Sequence, residues 1–265
     1  TLDSSSAASD VYKRQLLSFV LNDIIAYYDF ERFLNPLLSD SGFHSSLVYN
    51  VRPMYNYEQV KNYLNKLNAI PQYVDQNLPL LRKGLEKGVS QPLVIFKGYE
   101  STYNDHITQD FESNYFYSPF NKLPNDISEI QRDSILVAAK NAIEKSVVPQ
   151  FIRIKDFFEK EYYKKTRTTI GVSETPNGSE FYQNRINYYT TSESYTADEI
   201  HQIGLKEVAR IKKEMIKIID ELKFKGSFEE FFKFLRTDEQ FYAKTPKELL
   251  MYARDISKRA DQQLP

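Results

Sequence analysis

Three histidines are the residues of this chain best suited to metal binding or acid–base chemistry, and they lie far apart: His44, His106 and His201. None is followed by Glu, so the His-Glu-x-x-His pattern of a helix-borne zinc pair is absent. The sequence has no cysteine, which excludes disulfides, Cys-ligated zinc and thiol catalysis. We favour structural roles for all three histidines, with a three-histidine site assembled by the fold as the alternative.

Other catalytic patterns are also missing from the sequence. There is no glycine-rich phosphate loop, and Pro176-Asn177-Gly178 is a turn signal. No serine lies in a Gly-x-Ser-x-Gly elbow. Carboxylates are plentiful, but no pair is marked out by its spacing, and Glu159 with Glu161 is most simply a solvated face. We therefore predict no catalytic residue and no metal ligand in this sequence.

One group of aromatic and cationic residues could contact a ligand. Tyr182, Arg185, Tyr188 and Tyr189 lie in a stretch, Phe181–Thr191, that is rich in Tyr, Thr and Ile and could form a short strand. We predict a substrate-binding role for these four side chains. Ordinary alternation of core and surface residues is the alternative.

The elements that would position these residues are predicted to be helices. Apolar residues recur at helical spacing in five stretches before residue 166. Pro79 and Pro149 are expected to kink or split the helices that contain them, and Ser39 to Gly42 marks a loop. Asn114–Asn125, which is aromatic and proline-rich, is predicted to be an ordered loop packed on the core. The predicted helices are Leu16–Phe30, Tyr57–Ile70, Pro71 to about Gly88, Gln91–Ile107 and Asp126 to about Lys165.

The C-terminal third has three capping boxes, in which a hydroxyl and a Glu three residues later satisfy the free N–H groups of a helix start. They are Thr196-x-x-Glu199, Ser227-x-x-Glu230 and Thr245-x-x-Glu248. The first of these helices has an apolar stripe of Gly204, Val208, Ile211, Met215, Ile218 and Leu222. It is therefore predicted to be amphipathic.

Composition agrees with an all-α fold that has at most one short strand or hairpin, around residues 180–191. The 265 residues include 20 Tyr and 18 Phe, enough for a sizeable core. The net charge of −1 gives no bulk electrostatic case for nucleic acid, and no apolar run is long enough for a membrane-spanning segment. The basic residues Lys164, Lys165 and Arg167 are expected to complement a helix C-terminus.

The two ends of the chain look cut. Residues 1–15 are interpreted as a disordered or non-native tail, because the run from Asp10 to Gln15 resembles translated adaptor sequence in reading frames assembled from environmental DNA. Residues 16–265 are interpreted as a helical region that is an incomplete part of one larger domain. Both interpretations predict a longer natural protein.

Several runs resemble the bacterial domain-of-unknown-function 885 family, a group of predicted zinc metallohydrolases. The most specific run begins at Tyr188-Tyr189-Thr190-Thr191, continues through Thr196-x-x-Glu199-Ile200-His201-x-x-Gly204-Leu205-x-Glu207-Val208-x-Arg210-Ile211 and ends at Phe234-Leu235-Arg236-Thr237-Asp238. Weaker runs are Asn35-Pro36-Leu37-Leu38 with Gly42-Phe43-His44, Tyr63-Leu64-x-x-Leu67 with Ile70-Pro71, and Leu81-Arg82-x-Gly84 with Gly88 and Gln91-Pro92. Together they cover about residues 16–265.

This resemblance implies a mostly helical fold like part of the thermolysin-motif peptidases, with a deep cleft between helical halves. It also implies a zinc site in the parent protein, on a missing C-terminal half of the same chain, and a peptide-like substrate. An exported parent, periplasmic or lipid-anchored, is favoured over a cytoplasmic one. The chain itself would supply cleft wall and scaffold without being catalytic. The alternative is a non-catalytic helical binding or scaffold domain.

Overall fold

A computed structural model describes residues 2–37 and 41–264, and the side chains from residue 10 onward within those ranges. Leu38 and the predicted loop residues Ser39 and Asp40 lie outside the described part. The fold is all-α: the described residues form no strand, only an isolated bridge between Leu37 and Gly42. The helices are α1 (Leu2–Asp29), α2 (Tyr57–Lys87), α3 (Ser101–Asn104), α4 (Glu129–Ala142), α5 (Val148–Phe157), α6 (Tyr163–Lys165), α7 (Gly178–Thr190), α8 (Ala197–Glu221), α9 (Phe228–Thr237) and α10 (Pro246–Asp261).

The chain divides into two compact units at residues 194 and 195. The first unit contains α1 to α7 and the second contains α8 to α10. The sequence predicts that residues 16–265 are an incomplete part of one larger domain, and this stays a prediction.

Helix α1 begins at Leu2 and is longer than the predicted Leu16–Phe30 helix. The interpretation of residues 1–15 as a disordered tail predicts no regular structure there. Residues 2–15 are helical. Most apolar side chains of α1 between residues 16 and 28 are exposed, so this helix buries little of its own surface.

Helix α2 is the central helix of the first unit. It begins after Asn56, whose side chain accepts a hydrogen bond from the Gln59 N–H, and ends at Gly88, which has a φ of 74°. The sequence predicted two helices separated at Pro71, and this prediction is wrong. Each proline removes only one backbone hydrogen bond, and the continuous buried face holds the helix together. That face consists of Val60, Tyr63, Leu67, Ile70, Val74, Leu78 and Leu81.

The predicted long helix from Asp126 to Lys165 exists as a helical run that starts at Glu129 and is interrupted by two π turns. The first π turn, Ile143–Val147, ends two residues before Pro149. Pro149 has no N–H, and its ring would clash with a carbonyl of the preceding turn of a regular helix. The wider turn accommodates it, so the prediction that Pro149 would interrupt the helix is confirmed.

The predicted helix over Gln91–Ile107 is wrong. The segment instead forms a short 3-10 helix, Leu93–Phe96, and the single turn α3. Between them Gly98 has a φ of 82°, a left-handed conformation that a continuous α-helix does not contain. By contrast, the predicted ordered loop at Asn114–Asn125 is confirmed, with a 3-10 helix over Tyr115–Lys122 whose Phe116 and Phe120 are buried.

The predicted strand around residues 180–191 is a helix, α7. The preceding chain packs tightly there: a Cβ on Gly178 would lie 1.9 Å from the Val172 carbonyl oxygen. The Arg32 guanidinium stacks over the Phe181 ring at 4.0 Å, and these non-local contacts outweigh the strand propensity of Tyr, Thr and Ile.

The second unit begins its helices where the capping boxes predicted. Thr196 and Ser227 each accept from the backbone N–H of the Glu three residues later, and that Glu accepts from the cap's own N–H. Thr245 also caps α10, but the Glu248 carboxylate accepts from the Lys244 N–H instead. The predicted stripe of α8 is largely exposed; Val208 is 66% exposed and Leu222 is 63% exposed.

Candidate functional site

The four predicted ligand-binding residues all lie on α7, but only two of them face a neighbouring helix. Arg185 forms an ion pair with Asp23 of α1. Tyr188 stacks on Phe19 of α1 with ring centroids 5.0 Å apart. Tyr182 and Tyr189 are exposed, and Tyr189 is 78% exposed. The helix therefore separates the four side chains into a pair that contacts α1 and a pair that is exposed. A strand would have grouped the four side chains differently.

A cavity of about 340 Å³ lies between α1 and α7. The stacked rings of Phe19 and Tyr188 form one part of its lining. The remaining lining residues are polar: Asn22, Asp23, Asn184, Asn187, Thr191, Ser192 and Glu193. Of the predicted site residues, only Tyr188 lines this cavity.

The asparagines of this cavity are not among the site residues predicted from the sequence. Asn184 and Asn187 are three residues apart and therefore share a face of α7. Reading residues 178–190 with the helical period would have placed them beside Tyr188. The lining offers amide donors and acceptors and two carboxylates, so it can hydrogen-bond a polar ligand. Within this lining there is no pair of nucleophile and base.

Arg32 fixes the start of α7. Its guanidinium donates to the Thr175 hydroxyl at 3.2 Å and to the Pro176 carbonyl at 3.5 Å. Burial lowers the pKa of Arg32, while the nearby Tyr27 raises it and Arg167 lowers it further. No Asp or Glu among the described residues forms an ion pair with Arg32. Its contacts with the Phe181 ring and with backbone oxygen give it a structural role.

The histidines do not come together as a site. His44 is fully buried and His106 is nearly so, whereas His201 is exposed on α8. Burial lowers the pKa of both His44 and His106. Among the described side chains of residues 10–37 and 41–264, no three His, Asp or Glu side chains are grouped so that they could hold a metal ion. The described residues therefore do not fit the zinc that the family resemblance implies.

The basic residues after α5 interact with nearby parts of the chain. Lys164 and Lys165 lie in the last turn of α6, where cations favour the helix dipole. Arg167 donates to the backbone carbonyls of Ser90 at 2.8 Å and Gly171 at 2.8 Å. These contacts agree with the expected structural role.

Fold and site together define an all-α protein of two helical units, without an assembled catalytic centre among the residues described. The profile of a family of bacterial proteins of unknown function, DUF885, matches residues 1–265. The chain belongs to this family.

The fold is similar to that of a solved structure. That structure is described as "the putative lipoprotein from Colwellia psychrerythraea", and it aligns with a TM-score of 0.70 at 20% sequence identity. The alignment covers 81% of this chain and 37% of the other, so the chain spans little more than a third of that protein. No curated protein matches the chain. In the described part of the chain, no helix is both long and apolar enough to cross a membrane.

Proposed function

We propose that this chain is a helical region of a larger zinc-dependent, peptidase-like hydrolase, in which it supplies scaffold and one wall of the substrate cleft. The observation that carries the proposal is the pair of unpartnered apolar faces on α8 and α10. Val208, Ile211 and Leu222 are exposed on α8, and Leu249 and Ile256 are exposed on α10. Soluble proteins seldom leave such continuous apolar faces in water, so a further part of the protein is expected to cover them.

The size of the similar structure supports the same proposal. The region that aligns with this chain is 37% of that protein, which leaves room for a second half. In the proposed arrangement that half carries the zinc ligands, because the residues described here do not group as a metal site. When bound, such a zinc ion would polarise a water molecule for attack on a peptide carbonyl.

Within this proposal the α7 surface is the part of the chain nearest to substrate. The exposed rings of Tyr182 and Tyr189 and the amides of the neighbouring cavity suit a peptide, which presents both apolar side chains and backbone hydrogen-bonding groups. An exported or lipid-anchored location is proposed for the whole protein, supported by the lipoprotein description of the similar structure.

A second candidate is a non-catalytic helical binding or scaffold protein. It is favoured by the lack of a metal-ligand group among the described residues. The exposed faces of α8 and α10 count against it, because a self-sufficient domain would bury them.

The test compares this chain with the protein made from the complete genomic reading frame. Both are purified, and bound zinc and hydrolysis of a mixed peptide library are measured. The proposal predicts about one zinc per full-length molecule and hydrolysis that a chelator abolishes, with neither in the 265-residue chain. A metal-free and inactive full-length protein would favour the scaffold candidate.

A further inference from the structure

A second cavity of the first unit lies away from α7 and is a cleft of about 750 Å³. One wall is the extended segment Val51–Tyr55, which leads into α2. The opposite wall is the 3-10 helix Tyr115–Lys122 together with the following residues 123–125. The volume lies within the range of roughly 300–1,000 Å³ that is usual for small-molecule sites.

Hydrogen bonds hold the wall formed by residues 115–125 in place before any ligand arrives. The Tyr63 hydroxyl of α2 donates to the Phe116 carbonyl at 2.7 Å, which ties the 3-10 helix to α2. Arg132 donates to the Pro124 carbonyl at 2.6 Å. Pro53 and Pro119 restrict the backbone of the two walls. A preformed cleft loses little conformational entropy when it binds a ligand.

The lining combines flat apolar surface with positive charge. Met54, Tyr55 and Tyr115 supply apolar and aromatic surface, and both tyrosines are at least half exposed. Arg52 and Lys122 are exposed cations, and the lining includes no Asp or Glu. In a chain with a net charge of −1, a cleft with two cations and no carboxylate selects for an anion.

The geometry of Arg52 leaves its charge available to a ligand. Its Nε donates to the Tyr49 carbonyl at 2.9 Å, which orients the guanidinium. Neither Arg52 nor Lys122 forms an ion pair with any residue that the structure describes. The terminal nitrogens of Arg52 can therefore donate to a carboxylate.

We propose that this cleft binds a small organic anion with a flat apolar body and a carboxylate. The body packs between Tyr55, Tyr115 and Met54, and the carboxylate accepts from Arg52 and Lys122. The proposal concerns only the first unit and does not depend on the hydrolase function proposed above.

The chain offers an internal reporter, because it has only three methionines. Met54 lines the cleft, while Met215 and Met251 lie on α8 and α10 of the second unit. The 265-residue chain is labelled at its methionine methyl carbons and titrated with naphthoate. The proposal predicts a saturable shift of the Met54 methyl signal and no shift of the other two. Shifts at Met215 or Met251 without one at Met54 would overturn it, since the probe would then occupy the exposed helix faces.

Charge specificity is tested with matched variants. In Arg52→Gln/Lys122→Gln, naphthoate affinity is expected to fall about tenfold or more. The control, Lys83→Gln/Lys97→Gln, removes the same charge from exposed positions outside the cleft and should bind like the parent chain. The uncharged analogue naphthalenemethanol should bind the parent chain more weakly and should not distinguish the variants. Equal affinity of the parent chain for acid and alcohol would contradict the proposal.

Discussion

At the scale of single residues, His44 shows how the surroundings of a side chain determine its protonation state. His44 is enclosed by the rings of Phe43, Tyr99 and Phe158, with ring centroids 5.2 to 5.7 Å away. Its Nε2 lies 2.9 Å from the Thr102 hydroxyl, and its Nδ1 has no hydrogen-bond partner among the described residues. Burial lowers the pKa of His44 to about 3, with the nearby His106 as a smaller cause. A neutral and enclosed imidazole has a structural role in the core rather than a catalytic one.

This depressed pKa predicts acid sensitivity of the first unit. Between pH 6.5, the ordinary value for histidine, and about 3, the unfolded chain binds a proton at His44 that the folded chain does not. His44 therefore does not lower the free energy of unfolding above pH 6.5. The free energy of unfolding decreases as the pH falls through this window, because the unfolded chain takes up the proton. Urea unfolding, followed by the Met54 methyl signal, should show a lower midpoint at pH 4.5 than at pH 7.

Two variants separate His44 from other acid effects. In His44→Gln the loss of stability between pH 7 and pH 4.5 should be smaller than in the parent chain. In His201→Gln, which alters an exposed residue of the second unit, the loss should be unchanged. The same pH dependence in all three proteins would contradict the assignment to His44.

Phe158 is a fully buried residue of the aromatic core. It stacks on Tyr103 at 5.8 Å and meets the rings of Phe157 and Tyr162 at 5.6 and 5.5 Å. Phe158→Ala should cost the first unit about 3–5 kcal/mol in free energy of unfolding, because it leaves a large cavity. Ile130→Ala, at a position 85% exposed, should cost less than about 0.5 kcal/mol. Urea denaturation compares the two, and similar losses would show that the core is not packed as described.

At the scale of elements, close backbone approach fixes how α2 packs. Gly84 lies where α2 meets the backbone of Leu34 and Val89; a Cβ there would come within 2.5 Å of the Leu34 carbonyl oxygen and 2.8 Å of that of Val89. Both neighbours are backbone atoms that cannot rotate away. Gly204 in α8 is the opposite case, with no atom within 4 Å of an added Cβ.

The two glycines should therefore respond oppositely to alanine. Gly84→Ala should destabilise the first unit by about 1–3 kcal/mol through overpacking. Gly204→Ala should stabilise the second unit by about 0.5–1 kcal/mol, because alanine favours the helix interior. The Met54 signal follows the first change and the Met215 signal follows the second. An unchanged free energy of unfolding in Gly84→Ala would contradict the close approach of α2 to Leu34.

Elements defined by local signals could be predicted from the sequence, and those defined by distant contacts could not. The caps at Asn56, Thr196 and Ser227 lie within three residues of their partners, and the starts of their helices were predicted correctly. Helix α7 was missed because its stability depends on Arg32 and on α1, more than 140 residues earlier. The same error hid Asn184 and Asn187, which share a cavity with Tyr188 only once the segment is helical.

At the scale of the whole molecule, the two units differ in how completely they bury their apolar surface. The first unit encloses a continuous core formed by α2, the helical run from α4 to α6 and the aromatic 3-10 helix. In the second unit α8 buries only Ile219, and α10 buries none of its residues. Under the proposed function, a further part of the protein is expected to cover α8 and α10.

Methionine oxidation tests this expectation most directly. Met251 on α10 is 57% exposed, whereas Met54 is 8% exposed. The 265-residue chain and the full-length protein are treated with dilute hydrogen peroxide, and the oxidation rate of each methionine is followed by peptide mass spectrometry. Met251 is expected to oxidise at least about tenfold more slowly in the full-length protein, while Met54 is expected to oxidise slowly in both. Equal rates at Met251 in the two proteins would show that the α10 face stays uncovered and would contradict the account.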